Sequence, residues 1–400
     1  MNINFYILII LLFAQLLFYF KAEKKKLIIG PGFTFTIVWF FIMTNATISI
    51  SSLTRTPSLE TISVLMGVFI TYFAGYLLSL FISKFKNVKK IDSNCYSRVR
   101  HSFLISIFIA LLIMNIIFSG YIPLISIMNG DNSGYLTFGI PTLYGLFNAY
   151  SNFLGVYFYY LYLKKGNKKY LAIVLSIIMT FIILITRQNI ITLIFECLVV
   201  DVLIKYSRER LKIYLLIFIL LIMLFGVIGN FRSGDIYAIA EVYPEYMWIP
   251  SAYIWIYSYT VFNIVNLDNL VAMIKEPLYN LSSLSSLIPS FLRPDSNVDI
   301  NFLEKVNFTI ATYISGIYID FGLLGTVIFS FLQGYFVNKY YLRSKDGDIG
   351  KIYFAVLFTC NILSFFINMF FYLPVIGQIL FASILLKNKK NKGGNEYQKV

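Results

Sequence analysis

The sequence contains little that can titrate, and this scarcity excludes several classes of protein. Among 400 residues there are one histidine, three cysteines and 19 acidic residues, and only 13% of all residues are charged. An ordinary soluble domain carries about 25% charged residues. The cysteines, Cys95, Cys197 and Cys360, are scattered and lack metal-ligand spacing, so neither a disulfide framework nor a zinc site is predicted.

Apolar residues take the place of the missing charge. They make up 58% of the chain, and the mean hydropathy is +0.76. Crossing a bilayer takes roughly 20 apolar residues per helix, and such runs recur along nearly the whole sequence. The alternation typical of a membrane barrel is not visible. These features predict an all-α polytopic membrane protein that forms a single integral membrane domain over residues 1–400.

Apolar runs between basic clusters predict about eleven transmembrane helices, within a range of 10–12. The first run is interpreted as a retained helix because no basic segment precedes it and no small-residue cleavage site stands out. The predicted spans are 2–20, 27–50, 61–83, 102–119, 140–163, 170–186, 189–204, 212–229, 312–337, 352–369 and 371–386.

The distribution of basic residues predicts the orientation of the chain. Six clusters hold 27 of the 33 lysines and arginines. With an external N-terminus and eleven crossings, all six clusters lie on the cytoplasmic side, including the basic tail at 387–400. The net charge of +14 is then explained by orientation and by attraction to anionic lipid headgroups. A nucleic-acid partner is therefore not predicted.

The longest connection, residues 230–311, is predicted to be external. Long loops between membrane helices are more often functional than idle. Within it, 246–267 is apolar, but a full crossing there would require a second crossing before residue 312. Only 282–292 is available for that crossing, and it is too short. We therefore expect re-entrant or interfacial segments, which need burial in protein or a wet cavity.

Three arginines on the predicted external side are candidate anion ligands because a guanidinium group suits bidentate contacts to phosphate. Arg187 lies in the tight turn ITRQNII, Arg232 in the glycine-rich exit GNFRSGD, and Arg293 in the proline-bounded loop IPSFLRPD. Each has an alternative. Arg187 and Arg232 also suit anchoring to lipid headgroups, and Arg293 suits an exposed ion pair with Asp295.

Carboxyl groups near the membrane supply the other candidates. Asp320, in GIYIDFGLLG, lies in a predicted helix, where spacing places it on one face with Thr309, Thr312 and Gly316. Such an acid is a functional hypothesis by default, although the glycines also favour plain close helix packing. Glu196 is predicted near mid-membrane, and there we favour a structural, protonated carboxyl group. Asp346-Gly347-Asp348 matches a metal-binding pattern but lies in a short cytoplasmic loop, so no metal site is predicted.

The layout resembles the O-antigen polymerase family, the oligosaccharide repeat-unit polymerases of bacterial inner membranes. The resemblance rests on the many helices, one large external loop bordered by the ITRQNII, NFRSGD and IPSFLRPD segments, and a threonine-containing helix start followed by Tyr318, Asp320, Phe321, Gly322 and Gly325. It implies glycosyl transfer at the periplasmic face, from an undecaprenyl diphosphate-linked donor to a second lipid-linked repeat unit. Inversion at the sugar carbon, no metal and no cofactor are expected. Membrane lipids and a polysaccharide chain-length regulator are the further implied partners.

The resemblance and the residue chemistry together assign roles. Arg187, Arg232 and Arg293 would bind the diphosphate, while a carboxylate deprotonates the acceptor hydroxyl group. The candidates for this base are Asp235, Glu245, Asp295 and Asp320, and for Asp320 the alternative is that it orients an arginine. Rival functions are a lipid-linked oligosaccharide flippase, an O-antigen ligase, which usually has a histidine in the large loop, and a non-enzymatic transporter or channel. The only histidine, His101, is predicted to be cytoplasmic.

Overall fold

A computed structural model of the chain describes residues 3–85, 93–130, 137–207, 234–288, 292–293, 301–305, 307–345 and 347–390, and scattered positions between 209 and 230. The described chain is almost entirely helical, which confirms the predicted all-α class. The α-helices are α1 Ile3–Glu23, α2 Pro31–Asn45, α3 Leu59–Phe85, α4 His101–Ser119, α5 Pro123–Met128, α6 Leu143–Lys165, α7 Lys168–Ile183, α8 Arg187–Lys205, α9 Ile236–Ile239, α10 Ser251–Met273, α11 Ser315–Arg343, α12 Asp348–Ile362 and α13 Leu373–Leu385. Short 3₁₀ helices span Lys24–Ile29, Pro244–Tyr246, Ser282–Leu287, Leu363–Phe365 and Met369–Phe371.

The predicted spans overlap helices wherever the chain is described. The span at 212–229 lies largely outside the described residues. Among the described residues, five helical segments are long and apolar enough to cross a membrane. They are Ile3–Glu23, Leu59–Lys84, His101–Met128, Ser315–Arg343 and Asp348–Phe365. A multi-pass membrane protein is thus supported, while the number eleven stays a prediction.

Two large hydrophobic clusters form the interior. One is built around α6, which is buried on nearly all sides and packs against α7, α8 and α13. The other joins α1, α2, α3 and α10. Helix α11 connects the two halves because it packs along α3 and also contacts α12. For α6, burial on nearly all sides is the position expected of a helix without a strongly polar face.

Helix α11 is broken at Gly322, which has φ 62° and ψ −155°. That backbone region is open to essentially no residue except glycine. A break there frees carbonyl groups of the preceding turn, and those of Ile319 and Asp320 accept hydrogen bonds from the backbone N–H groups of Leu278 and Tyr279. The predicted span at 312–337 is thus helical from Ser315 onward, with a break at Gly322 that the sequence analysis did not predict.

The predicted polar stripe on that helix also needs correction. Helix α11 begins only at Ser315, so Thr309 and Thr312 precede it in irregular backbone. Helical spacing cannot place these threonines on a common face with Asp320. Gly316 and Asp320 alone share the first turns.

Charged side chains form two separate groups. Arg55, Lys275 and Lys305 pair with acids from the predicted external side, whereas Lys164, Arg210 and Lys351 pair with acids from the predicted cytoplasmic side. A two-stranded antiparallel ribbon, β1 Ser93–Ser97 with β2 Leu386–Lys390, joins two predicted cytoplasmic segments. In the described part of the chain no ion pair mixes the two groups. This separation is what the predicted topology requires, although it does not fix which side faces the cytoplasm.

Helix α10 covers most of residues 246–267, the segment of the predicted external loop that was expected to be re-entrant or interfacial. Near its start Tyr253 donates a hydrogen bond to Asn45, and near its end Asp268 accepts one of 2.8 Å from the backbone N–H of Ser58. Asn45 is the last residue of α2, and Ser58 directly precedes α3, so the two contacts lie at the two ends of the α2–α3 connection. The helix therefore lies along that connection over much of its length.

Candidate functional site

Five of the seven predicted site residues are described: Arg187, Arg293, Asp235, Glu245 and Asp320. Arg232 and Asp295 lie outside the described residues. The structure ties three of the five to one region and leaves the other two elsewhere. We call this region the external junction, formed by residues 282–288 and 292–293, the Met369–Phe371 turn, and Arg187 with Gln188.

Asp320 anchors one end of the external junction. Its carboxylate is fully buried and accepts hydrogen bonds from the backbone N–H of Ser282 at 3.1 Å and of Ser283 at 2.8 Å. The hydroxyl groups of the same two serines also donate to it, at 2.9 and 2.5 Å. Backbone N–H groups at the start of a helical segment favour an anion. Asp320 thus caps the Ser282–Leu287 helix and makes no contact with a described arginine.

The other end of this 3₁₀ helix rests on the turn that precedes α13. The hydroxyl group of Ser286 donates a hydrogen bond to the backbone carbonyl of Phe371. In the same turn the sulfur of Met369 receives a hydrogen bond of 3.1 Å from the amide of Gln188, directly after Arg187. A continuous chain of contacts therefore runs from Asp320 to the start of α8.

The two described arginines both border the external junction. Arg293 is exposed, and its Nε donates a hydrogen bond of 3.1 Å to the carbonyl of Ile288. Arg187 is exposed at the first position of α8, after a turn in which Ile185 has a positive φ of 57°. Within the described residues neither guanidinium group forms an ion pair, so both are open to an external anion. The alternative pairing of Arg293 with Asp295 falls on an undescribed residue.

The remaining described cations of the predicted external side are already neutralised. Arg55 pairs with Asp268 and Glu304, and Lys275 pairs with Glu60. Lys305 pairs with Glu241, a contact that lowers the pKa of Glu241 together with a hydrogen bond from Ser52. Among the described cations of the predicted external side, Arg187 and Arg293 at the external junction are therefore the ones without an acidic partner.

Asp235 and Glu245 lie away from the arginines, near the start of α10. Asp235 is exposed and caps α9, since its Oδ1 accepts a hydrogen bond of 3.0 Å from the N–H of Tyr237. Glu245 is exposed in the Pro244–Tyr246 turn. This segment is fixed through backbone pairing of Ser51 with Val242. No contact in the described chain joins either acid to the external junction.

Several contacts of the site were not predicted from sequence. Ser282, Ser283 and Ser286 form the framework between Asp320 and Phe371, whereas the sequence showed this stretch only as a short apolar segment. The repeated serines of SSLSSL were the available signal, because serine often satisfies free backbone groups at turns and helix starts.

The weaker sequence signals have structural partners. Asp348 accepts a hydrogen bond of 2.6 Å from Tyr160 and pairs with Lys164 and Lys351, while Asp346 is undescribed. Among the residues that the structure describes, no group of three or more histidine, cysteine or acidic side chains is arranged to hold a metal ion. Glu196 is fully buried and hydrogen-bonded to Gln378 on a neighbouring helix.

The chemistry available at the external junction is anion binding. Two exposed guanidinium groups belong to the junction, and the buried carboxylate of Asp320, whose two oxygens each accept two hydrogen bonds, fixes its 3₁₀ helix. Comparison of the chain with known protein families, with curated proteins and with solved structures finds no match.

Proposed function

We propose that the protein polymerises oligosaccharide repeat units linked to undecaprenyl diphosphate, by glycosyl transfer on the external face of a bacterial inner membrane. The observation that carries the proposal is the pair of arginines without ion-pair partners at the external junction, in a region where Arg55, Lys275 and Lys305 are neutralised. A diphosphate is a good leaving group, so the main task of such an enzyme is to bind its charge and activate the acceptor hydroxyl group.

Arg187 and Arg293 are assigned to the diphosphate, and Arg232 is kept as a third candidate. Arg187 stands at the start of α8, and Arg293 is held by its hydrogen bond to the carbonyl of Ile288. These two restraints support a defined geometry for a bidentate contact. The O-antigen or capsule type of the polymer and its sugars are not assigned.

The assignment of the base is narrowed by the contacts of Asp320. A base needs a free oxygen within hydrogen-bond reach of the acceptor hydroxyl group. Each oxygen of Asp320 already accepts two hydrogen bonds from serines. We therefore assign Asp320 to positioning and keep Asp235, Glu245 and Asp295 as candidate bases, which would have to approach the arginines when substrate binds.

The decisive experiment is reconstitution of the purified protein with undecaprenyl diphosphate-linked repeat units. A polymerase gives a ladder of products, and a flippase moves the units across the bilayer without a ladder. A ligase attaches a unit to a different acceptor and also gives no ladder. The proposal fails if no ladder is seen.

Variants test the arginine assignment in the same assay. Arg187→Ala and Arg293→Ala should each abolish long chains, because a donor held without its diphosphate contacts is misplaced. Lys275→Ala is the matched control, since it removes an external cation that is already paired with Glu60. Equal ladders from all three variants, at equal protein amounts, would exclude the assignment.

A further inference from the structure

A second polar site lies inside the helix bundle, at Glu196 of α8. Its carboxyl group is fully buried, and Oε1 accepts a hydrogen bond of 2.8 Å from the side-chain amide of Gln378 on α13. The other carboxyl oxygen of Glu196 and the amide oxygen of Gln378 have no hydrogen-bond partner in the described structure. Two unpaired oxygen atoms thus belong to two side chains that already touch.

Within the described residues, no positively charged side chain pairs with Glu196. Helix α13 contains no charged residue, and α7 carries charge only at its first two residues, Lys168 and Lys169. Farther along α8, Arg210 forms an ion pair with Asp201 and not with Glu196. The other titratable groups near this site are Cys197 on α8, Cys360 on α12 and Tyr159 on α6. An isolated carboxylate in such a medium costs several kcal/mol unless its charge is neutralised.

We propose that Glu196 is a proton-binding site, in which a neutral carboxylic acid forms a cyclic pair with Gln378. The amide N–H of Gln378 donates to Glu196 Oε1, and a proton taken from water onto Oε2 is donated to the amide oxygen of Gln378. One proton therefore satisfies both unpaired oxygens at once. In the alternative, a charged carboxylate accepts only the hydrogen bond from Gln378, and both unpaired oxygens and the charge remain uncompensated.

The pair fastens two helices that begin at the external junction. Helix α8 starts at Arg187, and α13 follows the Met369–Phe371 turn directly. Holding these helices together fixes the spacing between Arg187 and that turn. Loss of the proton breaks one hydrogen bond and creates a charge in the bundle, so the spacing is secured only while Glu196 is protonated.

Polar side chains connect Glu196 with the external end of the bundle. Thr192 lies one turn before Glu196 on the same face, and its buried hydroxyl oxygen has no described partner. Farther on, Asn152 donates a hydrogen bond of 3.3 Å to Asn189, two residues after Arg187. The amide oxygen of Asn152 also lacks a described partner. Asn189, Thr192 and Glu196 are three and four residues apart, so these polar groups lie on one face of α8 between Glu196 and Arg187.

Infrared spectroscopy of the purified full chain tests the protonation directly. In an ester-free detergent at neutral pH, the wild-type protein should show the carbonyl band of a protonated carboxyl group. The band should be absent from Glu196→Gln and should disappear from the wild type as the pH is raised. Identical spectra of the two proteins at neutral pH would overturn the proposal.

Thermal unfolding over a range of pH gives a second, independent test. The series should begin at weakly acidic pH, just above the pKa of about 4.3 of an unfolded glutamate, because there the folded state keeps a proton that the unfolded state releases. The melting temperature of the wild type should therefore fall more steeply with rising pH than that of Glu196→Gln. The exchanged variant Glu196→Gln/Gln378→Glu, which rebuilds the pair with its roles reversed, should regain the slope. Equal slopes in wild type and Glu196→Gln contradict the proposal.

A bound cation is the competing way to neutralise Glu196. Sodium chloride and choline chloride at equal ionic strength distinguish the two. The proton site predicts no difference between these salts for the wild type. If sodium alone raises the melting temperature of the wild type but not that of Glu196→Gln, a cation occupies the site and the proton pair is excluded.

Discussion

The Asp320 carboxylate holds Ser283 by two groups, accepting hydrogen bonds from its backbone N–H at 2.8 Å and from its hydroxyl group. The same carboxylate holds Ser282 in the same way. Asp320, an acid within an apolar helix, therefore holds the start of residues 282–287, while Ser286 near their end is hydrogen-bonded to Phe371.

Asp320→Asn should loosen this connection. An asparagine side chain has only one acceptor oxygen. Its NH₂ group would therefore point at the N–H and hydroxyl donors of one of the two serines, and the hydrogen bonds to that serine would be lost. Because hydrogen bonds to a buried charged group are worth about 1.5–3 kcal/mol each, we expect a loss of unfolding free energy of at least about 2 kcal/mol. Thermal unfolding in detergent measures the loss, and proteolysis near residues 279–288 should become faster.

The same variant separates positioning from catalysis. If Asp320 only positions the external junction, polymerisation should fall without vanishing in Asp320→Asn, and Ser283→Ala should show a smaller decrease of the same kind. Complete loss of polymer with unchanged stability and unchanged proteolysis would instead identify Asp320 as the base.

Gly322→Ala should be strongly destabilising. Gly322 has φ 62° and ψ −155°, and a Cβ atom at this position would lie 3.0 Å from Cγ of Pro277. Backbone strain of this kind costs about 1–3 kcal/mol. Unfolding midpoints should show the loss in Gly322→Ala and, to a similar degree, in Gly322→Ala/Pro277→Ala, because removing the proline ring relieves the contact but not the strain.

A control glycine in ordinary helical geometry is available. At Gly145 an added Cβ would meet only the end of the Leu373 side chain, at 3.3 Å. Gly145→Ala should therefore be close to neutral. If Gly145→Ala and Gly322→Ala lowered the stability equally, the loss at Gly322 could not be assigned to the break in α11.

The helices were largely predictable because each is set by a local apolar run. The break at Gly322 was not predictable because it depends on the Leu278 and Tyr279 amides, more than 40 residues away, which replace the lost helical bonds. For the site, sequence supplied Arg187, Arg293 and Asp320 but not their contacts. The role of Asp320 follows from Ser282 and Ser283, and spacing within one helix carries no information about that pairing.

Lys305→Met should reduce stability in a pH-dependent way. Lys305 is the largest cause of the lowered pKa of Glu241, followed by the hydrogen bond from Ser52. A carboxyl group whose folded pKa lies below its unfolded value of about 4.3 stabilises the protein above that value, and the benefit disappears as the pH falls through the folded pKa. The melting temperature of Lys305→Met should thus lie slightly below that of the wild type at neutral pH and converge with it in acid.

The effect is expected to be small because both side chains are well exposed. Glu241→Gln serves as the control, and adding Lys305→Met to it should change little further. A difference between wild type and Lys305→Met that is constant from neutral to acidic pH would exclude this ion pair as its origin.

The closest helix contact in the described chain offers the last prediction. A Cβ atom on Gly75 of α3 would lie 2.0 Å from the backbone oxygen of Phe331 on α11, and one on Gly334 of α11 would lie 2.1 Å from the backbone oxygen of Tyr72. The two glycines are therefore reciprocal, each admitting the backbone of the other helix. Backbone atoms cannot move aside as a side-chain end can, so Gly75→Ala and Gly334→Ala should each force the helices apart.

Small residues at such contacts permit the close packing on which membrane helices depend. We expect each variant to lower the yield of folded protein and its melting temperature more than Gly145→Ala does, as measured by size-exclusion chromatography and thermal unfolding. Retention of wild-type stability in both variants would contradict this close approach of α3 and α11.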